Sequence, residues 1–357
     1  MISKNRPVYL VTGGAGFIGS NFIKYLFARY GDDVSVINFD LLTYAGNLDN
    51  LKDCEDRPGY KFVKGDIASS EDVGRLFGEG RIDFVVNFAA ESHVDRSIID
   101  SSPFIRTNIA GTQALLDYSR NHGVKKFLQV STDEVYGSLD GGGLFTEDTP
   151  LAPNSPYSAS KASADMLARA AYKTYGSPVI ITRCSNNYGP YQFPEKLIPL
   201  MIANIIKRKK LPVYGRGENV RDWLYVSDHC EAIDAALRLG SPGEVYNIGG
   251  NNEFKNIEIV NLIISIMASK GYPGGRDLIE FVQDRPGHDL RYAIDASKIR
   301  RELGFEPKVD FERGIAMTVD WYLNNQQWLM NIISGEYSRY YDELYLPKYK
   351  NAAQAKK

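Results

Sequence analysis

The chain has 357 residues, with 42 lysines and arginines against 44 aspartates and glutamates, so its formal net charge is only -2. This balance provides no overall field for nucleic acid or an acidic membrane, and no run approaches the ~20 apolar residues that span a bilayer. The three cysteines are far apart and lack paired spacing, which argues against a disulfide framework and a metal site, so we expect a cytoplasmic protein.

Short β-branched runs alternate with longer helical patterns through the first half of the chain. The predicted strands are residues 8–12, 34–40, 61–63, 83–88, 126–131 and 179–183. The predicted helices are residues 17–29, 70–77, 103–121 and 156–175. Alternation of this kind indicates βαβ units, so we predict an α/β fold with a doubly wound parallel sheet of the Rossmann type.

The alternation loosens after about Cys184, where prolines interrupt the chain. Helical patterns return at residues 226–239, 257–270 and 312–324, with short strands near 245–248 and 279–282. We predict that residues 1–185 form a dinucleotide-binding domain. Residues 186–348 are predicted to form mainly a smaller α/β substrate lobe, interleaved with the first, and residues 349–357 a polar tail.

A glycine-rich turn follows the first predicted strand and opens the first predicted helix. Gly14, Gly16 and Gly19 satisfy the pattern GxGxxG. Gly13 combines with the last two to satisfy GxxGxxG as well. Such glycines allow a tight turn and let the backbone approach a pyrophosphate at the helix N-terminus.

The carboxyl ends of the next strands carry further candidate cofactor residues. Asp40 ends the second strand, 21 residues after Gly19, where its carboxylate can accept hydrogen bonds from both hydroxyls of a ribose. The same charge would repel a 2′-phosphate, so the pattern predicts NAD rather than NADP. Asp66 follows the third strand and Ala89 and Ala90 follow the fourth, at the edge that forms the ligand crevice in such sheets.

Tyr157 and Lys161 are four residues apart in the predicted helix 156–175. This spacing places both side chains on one helix face, about 6 Å apart along the axis. A neighbouring ammonium and a positive nicotinamide favour the phenolate, so we predict a lowered pKa that makes Tyr157 a base. Tyr60 and Lys64 share the spacing, but in a strand about 13 Å would separate them.

The predicted strand 126–131 before that helix continues as Thr132, Asp133 and Glu134. We expect Thr132 to bind a substrate hydroxyl beside Tyr157. Adjacent carboxylates are most often solvated loop charges. Beside a hydride-transfer site they instead predict an acid–base pair, provided that their environments separate the two pKa values. One would expel a hydroxyl as water and the other would remove a proton alpha to a carbonyl, which is the work of a lyase.

These motifs resemble the nucleotide-sugar branch of the extended short-chain dehydrogenase/reductase superfamily, and most closely its dTDP-glucose 4,6-dehydratases. The resemblance extends from about Pro7 to about Pro347 and is carried by residues 12–19, 89–97, 131–137, 157–161, 183–190 and 284–289. The glycine turn and the Tyr–Lys pair occur across the superfamily, whereas the Thr-Asp-Glu run at 132–134 is specific to the dehydratases.

The resemblance implies conversion of dTDP-glucose to dTDP-4-keto-6-deoxyglucose and water. Tyr157 would take the proton of the hydroxyl on sugar carbon 4 while hydride passes to NAD. Glu134 would remove the proton from carbon 5, and Asp133 would protonate the hydroxyl that leaves carbon 6. Return of the hydride to carbon 6 would regenerate NAD in the site. The resemblance also implies a homodimer joined through the helices near 103–121 and 156–175.

The resemblance further implies two sets of binding residues. Those for the cofactor are Gly13, Gly16, Phe17, Ile18, Gly19, Asp40, Thr43, Asp66, Ile67, Ala89, Ala90, Ser92, Thr107, Tyr157, Lys161 and Asn186. Those for the substrate are Ser92, Thr132, Asn186, Asn187, Lys196, Leu197, Pro212, Tyr214, Arg221, Asn256, Arg285 and His288. The guanidinium groups of Arg221 and Arg285 suit bidentate contacts with phosphate. We interpret His93 and Asp95 as residues that structure the cofactor crevice.

Two other functions remain open from the sequence. A nucleotide-sugar 4-epimerase or decarboxylase on the same scaffold needs the glycines, Tyr157 and Lys161, but no acid–base pair at 133 and 134. An inactive dinucleotide-binding regulator needs none of these catalytic residues, so their joint presence favours an enzyme. The base of the substrate, dTDP or UDP, also remains open.

Overall fold

The structure is a computed structural model that describes residues 6–139, 141–333 and 343–345, so the predicted tail at 349–357 lies outside it. Its strands are β1 (Val8–Thr12), β2 (Ser35–Asp40), β3 (Tyr60–Lys64), β4 (Phe84–Asn87), β5 (Lys126–Thr132), β6 (Val179–Cys184), β7 (Asn186–Tyr188), β8 (Leu211–Tyr214), β9 (Val220–Tyr225), β10 (Val245–Ile248), β11 (Glu253–Lys255) and β12 (Ile279–Val282).

The helices in the same residues are α1 (Phe17–Tyr30), α2 (Ser70–Gly78), α3 (Val94–Ile99), α4 (Ser102–Phe104), α5 (Thr112–Asn121), α6 (Pro156–Tyr175), α7 (Leu197–Ile206), α8 (Val226–Leu239), α9 (Asn256–Ser269), α10 (Ser297–Leu303), α11 (Phe311–Asn324) and α12 (Gln326–Ile333). Helices α6 and α8 begin and end where the sequence predicted. None of the described helices is both long and apolar enough to cross a bilayer.

Seven strands form one sheet in the order β10-β6-β5-β4-β1-β2-β3, and every neighbouring pair is parallel. The predicted Rossmann-type sheet is therefore confirmed. The chain starts at β1, builds outward to β3, and then returns to β4 on the other side of β1. Loops leave in opposite directions at that reversal, which opens a crevice at the carboxyl ends of the strands.

Helices cover both faces of this sheet, which explains why β1 and β2 are buried along their whole length. On one face α1 packs against α8, and apolar side chains of both helices join one core cluster. On the other face α2, α5 and α6 pack in a row over a second cluster. We call the seven-stranded sheet with these helices the first lobe.

The second lobe consists of a three-stranded sheet, β11-β9-β7, and a two-stranded sheet, β12-β8, with α7, α9, α11 and α12 around a core of their own. Helix α7 was missed in the sequence because Pro199 was interpreted as a break. Pro199 stands in the first turn of α7, where a backbone N–H has no helical partner to lose.

The chain crosses between the two lobes more than once. After forming β7 and β9 of the second lobe, the chain returns through α8 to β10, where Val245 pairs with Ile181 of β6 at the edge of the first sheet. We therefore propose two interleaved lobes, with residues 186–333 mainly in the second. Pairing with a distant strand decides where β10 lies, and no local pattern carries that information.

The helix predicted at 103–121 is corrected by the structure. A π-helical stretch, Ile105–Gly111, joins α4 to α5. Its Asn108 donates to Ser160 Oγ of α6 at 2.8 Å and exchanges two hydrogen bonds with the backbone of Glu91. A π-helical turn differs from an α-helical one in its backbone hydrogen bonds, and such turns are frequent at functional sites. The periodicity of the side chains does not show this difference, so the sequence predicted an ordinary helix.

Candidate active site

The crevice at the sheet reversal opens into a cavity of about 440 Å³ that is lined by both lobes. Every residue predicted to bind the cofactor or the substrate, or to act in catalysis, lines this cavity. The residues from the second lobe come from several elements: Asn186 and Asn187 from β7, Leu197 from α7, Pro212 and Tyr214 from β8, Arg221 from β9 and Asn256 from α9. The fold therefore brings all of the predicted site residues to one place.

The glycine turn approaches its neighbours so closely that side chains are excluded. Gly13 has a φ of +67°, and a Cβ there would lie 2.7 Å from the backbone nitrogen of Ala89. A Cβ on Gly19 would lie 2.3 Å from the Gly13 carbonyl oxygen. Gly14 instead packs inward, since its Cβ would meet Asn38 Oδ1 at 2.4 Å. The pattern that faces the cavity is therefore GxxGxxG.

The start of α1 faces the same space. Gly16 occupies the N-cap, and Gly16, Phe17 and Ile18 all line the cavity. Glycine has no side chain to cap the first turn, so the N–H groups there suit an anionic ligand. Together with the close backbone approach of the turn, this arrangement fits the pyrophosphate of a dinucleotide.

Two carboxylates flank this turn. Asp40 is buried, and its oxygens accept hydrogen bonds from Ala15 N at 2.9 Å and Leu42 N at 2.7 Å. Burial raises the pKa of Asp40, while the two backbone hydrogen bonds act in the opposite direction. Asp66 accepts from Ala68 N at 2.8 Å and pairs with Arg106. The Asp40 carboxylate, fixed at the end of β2 by its two backbone hydrogen bonds, is therefore placed to accept hydrogen bonds from the ribose hydroxyls of a dinucleotide.

The Thr-Asp-Glu run ends β5 and forms a short helical turn. Thr132 caps the turn by accepting from Glu134 N at 3.3 Å, and its hydroxyl donates to Asp133 Oδ1 at 3.2 Å. Asp133 is only 2% exposed, and within the described residues its Oδ2 has no hydrogen-bond partner. A buried carboxylate with an unsatisfied oxygen is costly to ionise.

The charges around the pair separate its two members. Burial raises the pKa of Asp133 well above its ordinary value, and the negative charges of Glu134 and Asp222 raise it further. Burial also raises the pKa of Glu134, but the charges of three second-lobe cations oppose that rise. These cations are Arg285, Lys196 and Arg221. Asp133 is therefore suited to donate a proton and Glu134 to accept one, which is the condition for an acid–base pair.

Tyr157 and Lys161 stand one turn apart on α6, and both are buried. Lys161 Nζ donates to the Val130 carbonyl oxygen at 2.7 Å. The prediction of a lowered tyrosine pKa is wrong for the chain by itself. Burial raises the pKa of Tyr157 well above its ordinary value, and the charge of Glu134 adds to that rise. The sequence showed the spacing of the pair but not the depth of its burial.

Arg221 reaches the cavity from a fixed position. Its Nη1 donates to the carbonyl oxygens of Val220 at 2.7 Å and Leu290 at 3.3 Å, and its Nη2 donates to that of Asp289 at 2.9 Å. The guanidinium carbon also lies 4.3 Å from the ring centre of Tyr292. The edge formed by Nε and Nη2 is what remains for a bidentate contact with phosphate.

Lys196 and His288 are also held by neighbouring polar groups. Lys196 Nζ donates to the Ser92 carbonyl oxygen at 2.9 Å. His288 Nδ1 lies 2.5 Å from Asp284 Oδ1, and burial together with the charge of Arg285 lowers the pKa of His288 to about 4. His288 is therefore a neutral contact near pH 7, whereas Lys196 and Arg285 bring positive charge.

Sequence reasoning missed Glu195, a buried carboxyl that also lines the cavity. Its Oε1 accepts from the Tyr44 hydroxyl at 3.0 Å, and its Oε2 lies 3.7 Å from Arg96 Nε and 3.8 Å from His93 Nε2. Burial raises the pKa of Glu195 to about 7 against the opposing charges of Lys196 and Arg96. No motif marked this residue, because its partners come from distant parts of the chain.

His93 and Asp95 lie in the same region of the cavity wall. Asp95 Oδ2 accepts from the Tyr214 hydroxyl at 3.3 Å and lies 3.9 Å from Arg285 Nη1. Asp95, in the first turn of α3, thus contacts two residues of the second lobe. This position agrees with our interpretation that the pair structures the crevice.

Residues 10–318 match the family model described as GDP-mannose 4,6 dehydratase. A dTDP-glucose 4,6-dehydratase of Xanthomonas campestris pv. campestris is 55% identical over 343 residues, which are 92% of this chain and 97% of that protein. The chain belongs to this 4,6-dehydratase family. The Thr-Asp-Glu run at 132–134, which we interpret from the sequence as specific to the dehydratases, agrees with this family membership.

Solved structures of family members support the same assignment. A dTDP-glucose 4,6-dehydratase of Bacillus anthracis, solved in complex with NAD, is 55% identical and has a TM-score of 0.84, covering 91% of this chain and 99% of that one. A dTDP-glucose 4,6-dehydratase of Streptomyces venezuelae, also with NAD bound, is 50% identical with a TM-score of 0.86 over the same shares. The family fold thus extends across nearly all of the chain.

Proposed function

We propose that the chain is a lyase that converts dTDP-glucose to dTDP-4-keto-6-deoxyglucose and water, with NAD as its resident cofactor. The observation that carries this proposal is the carboxyl pair: burial raises the pKa of Asp133 well above its ordinary value, while three cations of the second lobe oppose the rise in the pKa of the adjacent Glu134. Relatives that are 50% identical or more over most of their length carry the name dTDP-glucose 4,6-dehydratase, which supports both the substrate and the reaction.

The residues of the cavity divide among the ligands. The glycine turn and the start of α1 would hold the pyrophosphate of NAD, Asp40 one ribose and Lys161 the ribose that carries the nicotinamide. NAD, when bound, supplies a positively charged nicotinamide that can accept a hydride from the sugar and later return it. Arg221, Arg285 and Lys196 would bind the diphosphate of the nucleotide-sugar, since they concentrate positive charge on one wall.

The protons are moved by side chains of the first lobe. Tyr157 Oη takes the proton of the hydroxyl on sugar carbon 4, while Thr132 holds that hydroxyl. The ketone formed there acidifies carbon 5, whose proton passes to the Glu134 carboxylate. Asp133 gives its proton to the hydroxyl on carbon 6, which leaves as water. Glu134 then returns its proton to carbon 5 while hydride returns to carbon 6. Tyr157 has by then gained one proton and Asp133 has lost one, so net transfer of a proton from Tyr157 to Asp133 through solvent brings each group back to its starting state.

We also propose that two copies associate through α5 and α6 and that the protein is cytoplasmic. Apolar side chains are exposed on and beside these helices, including Met166 at 58% and Ile105 at 55%. Such side chains favour burial against a second copy. All three cysteines are free and buried, which agrees with a reducing compartment.

Asp133→Asn tests the dehydratase against the epimerase. The amide has nearly the same size and still forms hydrogen bonds, but it has no proton to give to the leaving hydroxyl. We expect product formation from dTDP-glucose to fall by about 10²- to 10⁴-fold, measured by the alkaline absorbance of the 4-keto sugar. Exchange of the carbon 5 hydrogen with solvent deuterium should survive in part, because Glu134 remains.

An epimerase would respond differently, because its Asp133 would have no proton to deliver. Unchanged turnover in Asp133→Asn, or a 4-epimer as the product of the unaltered protein, would contradict the proposal. Assaying dTDP-glucose and UDP-glucose side by side tests the base. A higher kcat/KM with UDP-glucose would overturn the dTDP assignment while leaving the dehydration in place.

A further inference from the structure

The loop after β2 contributes to the cofactor side of the cavity and is contacted by the second lobe. We call residues 41–51 the cradle loop. It runs from Asp40 to the short helical turn Leu48–Leu51, and Thr43, Ala45 and Gly46 within it line the cavity. A cofactor held by Asp40 and the glycine turn would lie against this loop, so its position affects whether the cofactor can leave.

The first contact with the second lobe is a chain of hydrogen bonds. Trp328 of α12 donates its indole N–H to Asn50 Oδ1 at 2.8 Å. Asn50 is 1% exposed, and its Nδ2 donates to the Ala15 carbonyl oxygen at 2.9 Å. Ala15 N in turn donates to Asp40 Oδ2 at 2.9 Å. These bonds connect α12 of the second lobe to the glycine turn and to the Asp40 carboxylate, which is proposed to bind a ribose.

The second contact holds the other end of the loop. The Tyr44 hydroxyl donates to Glu195 Oε1 at 3.0 Å, and the Tyr44 ring meets the ring of Phe193 edge-on at 5.5 Å. Arg96 covers the same ring, with its guanidinium carbon 3.8 Å from the ring centre. Burial raises the pKa of Tyr44 well above its ordinary value, so its hydroxyl keeps the proton that it donates.

The remaining hydrogen bonds identified for the cradle loop stay within the first lobe. Asn47 N donates to the Ala15 carbonyl oxygen at 3.0 Å, and Leu42 N donates to Asp40 Oδ1. These bonds would move with the loop's own neighbours. Trp328 instead packs against the core of the second lobe, and Glu195 lies in the segment between β7 and α7. Opening the loop away from the second lobe therefore breaks two partly buried hydrogen bonds, one near each end.

We infer that Trp328 and the Tyr44–Glu195 pair are positioning residues that retain NAD, because they fasten the cradle loop to the second lobe. The inference rests on the proposal that NAD is the resident cofactor. A cofactor regenerated in every turnover has no need to leave, and the two hydrogen bonds oppose the opening that its departure requires. Loss of either bond should raise the dissociation rate of NAD about tenfold.

Trp328→Phe and Tyr44→Phe test this inference, since each removes one donor and keeps an aromatic ring. The NAD-loaded protein is diluted into an excess of a separate enzyme that consumes free NAD, well below the unfolding temperature. We expect NAD to dissociate about tenfold faster from either variant and about a hundredfold faster from the double variant, because the two contacts are at opposite ends of the loop.

Trp321→Phe is the matched control. Its ring lies 4.9 Å from that of Trp328 in the same aromatic cluster, but its ring contacts are with Tyr191, Tyr322 and Trp328 and not with the cradle loop. The dissociation rate should stay within about twofold of the unaltered protein. An equal acceleration in Trp321→Phe would assign the effect to the stability of the cluster and overturn the inference.

A thermal measurement separates retention from a purely structural role. Retention predicts that NAD raises the Tm of Trp328→Phe and Tyr44→Phe by less than it raises the Tm of the unaltered protein. A structural role would lower the Tm with and without NAD equally and leave the dissociation rate unchanged, which would overturn the inference. If denatured wild-type protein released no NAD(H), the proposed cofactor itself would be wrong, which is a distinguishable result.

Discussion

Tyr157 shows how burial and charge act on one catalytic side chain. Its depth in the protein favours the neutral phenol, and the adjacent Glu134 strengthens that preference. Lys161, one helical turn away on α6, donates a hydrogen bond from Nζ to the Val130 carbonyl oxygen of β5. A phenol held in this way acts as a base when positive charge is brought close to it. We therefore expect its proton transfer to depend on the bound cofactor rather than on Lys161 alone.

Replacing Tyr157 by Phe removes the proton acceptor and empties little volume. We expect turnover to fall by about 10²- to 10⁴-fold while the affinity for dTDP-glucose changes little, since the hydroxyl acts in the chemical step. Steady-state kinetics and equilibrium binding to the variant measure the two effects separately.

Tyr60→Phe is the control, because Tyr60 and Lys64 have the same spacing in β3. The Tyr60 hydroxyl accepts from Asn38 Nδ2 at 3.0 Å and is not part of the cavity wall. Turnover should be nearly unchanged. Equal losses in the two variants would contradict the argument that the helix, and not the spacing by itself, makes the pair.

At the scale of elements, the start of α6 decides where the catalytic pair stands. Ser155 Oγ accepts from Ser158 N at 3.1 Å, Ser158 Oγ accepts from Ser155 N at 3.0 Å, and Pro156 occupies the first helical position. These reciprocal bonds satisfy N–H groups that a helix end leaves open. They hold Tyr157 in the first turn and Lys161 in the second, both turned toward the cavity.

Ser155→Ala removes one half of this cap. We expect the free energy of unfolding to fall by about 1 kcal/mol, the usual cost of losing an N-cap side chain, as measured by urea unfolding of the NAD-free protein. Ser163→Ala serves as the control inside the same helix, where the hydroxyl donates only to the Ala159 carbonyl oxygen. Alanine is favoured there, so a loss of stability in the control as large as in Ser155→Ala would contradict the capping argument.

At the scale of the whole molecule, the site depends on the contact between two lobes that share the chain. The first lobe brings the proton-transferring groups and the second brings the cations that act on Glu134. Glu195 lies where the lobes meet and must be buried for that contact to form. The groups that face it are Tyr44, Lys196, Arg96, His93 and Glu91. Its protonation is therefore linked to the stability of the whole fold.

Glu195→Gln tests this linkage. The pKa of Glu195 rises from 4.5 to about 7 on folding, so the folded protein holds this proton more tightly than the unfolded chain does. The corresponding stability is complete below about pH 4.5 and is lost as the pH rises through about 7. We expect the variant, which still accepts from Tyr44, to gain stability relative to the wild type between about pH 5 and pH 8. Urea unfolding of both proteins at pH 5 and pH 8 measures this gain. The same difference in the free energy of unfolding at both pH values would contradict the expectation.

The sequence by itself determined the features that depend on residues close together in the chain. The glycine turn, the carboxylate at the end of β2, the Tyr–Lys spacing and the Thr-Asp-Glu run each lie within one or two elements. Helical and strand periods, together with the meeting of parallel strand ends at one edge, were enough to place them. For the same reason the Rossmann-type sheet and the motif residues of the cavity were predictable, whereas the binding residues of the second lobe were implied only by the resemblance to the dehydratases.

Only the tertiary structure decided what depends on distant partners. β10 joins the first sheet by pairing with β6, and the carboxyl of Glu195 is surrounded by side chains from two lobes. In the chain by itself the pKa of Tyr157 is raised and not lowered, because packing, which no spacing reveals, buries its side chain. Burial and electrostatic fields sum over every neighbour in space, whereas a sequence motif records only neighbours along the chain.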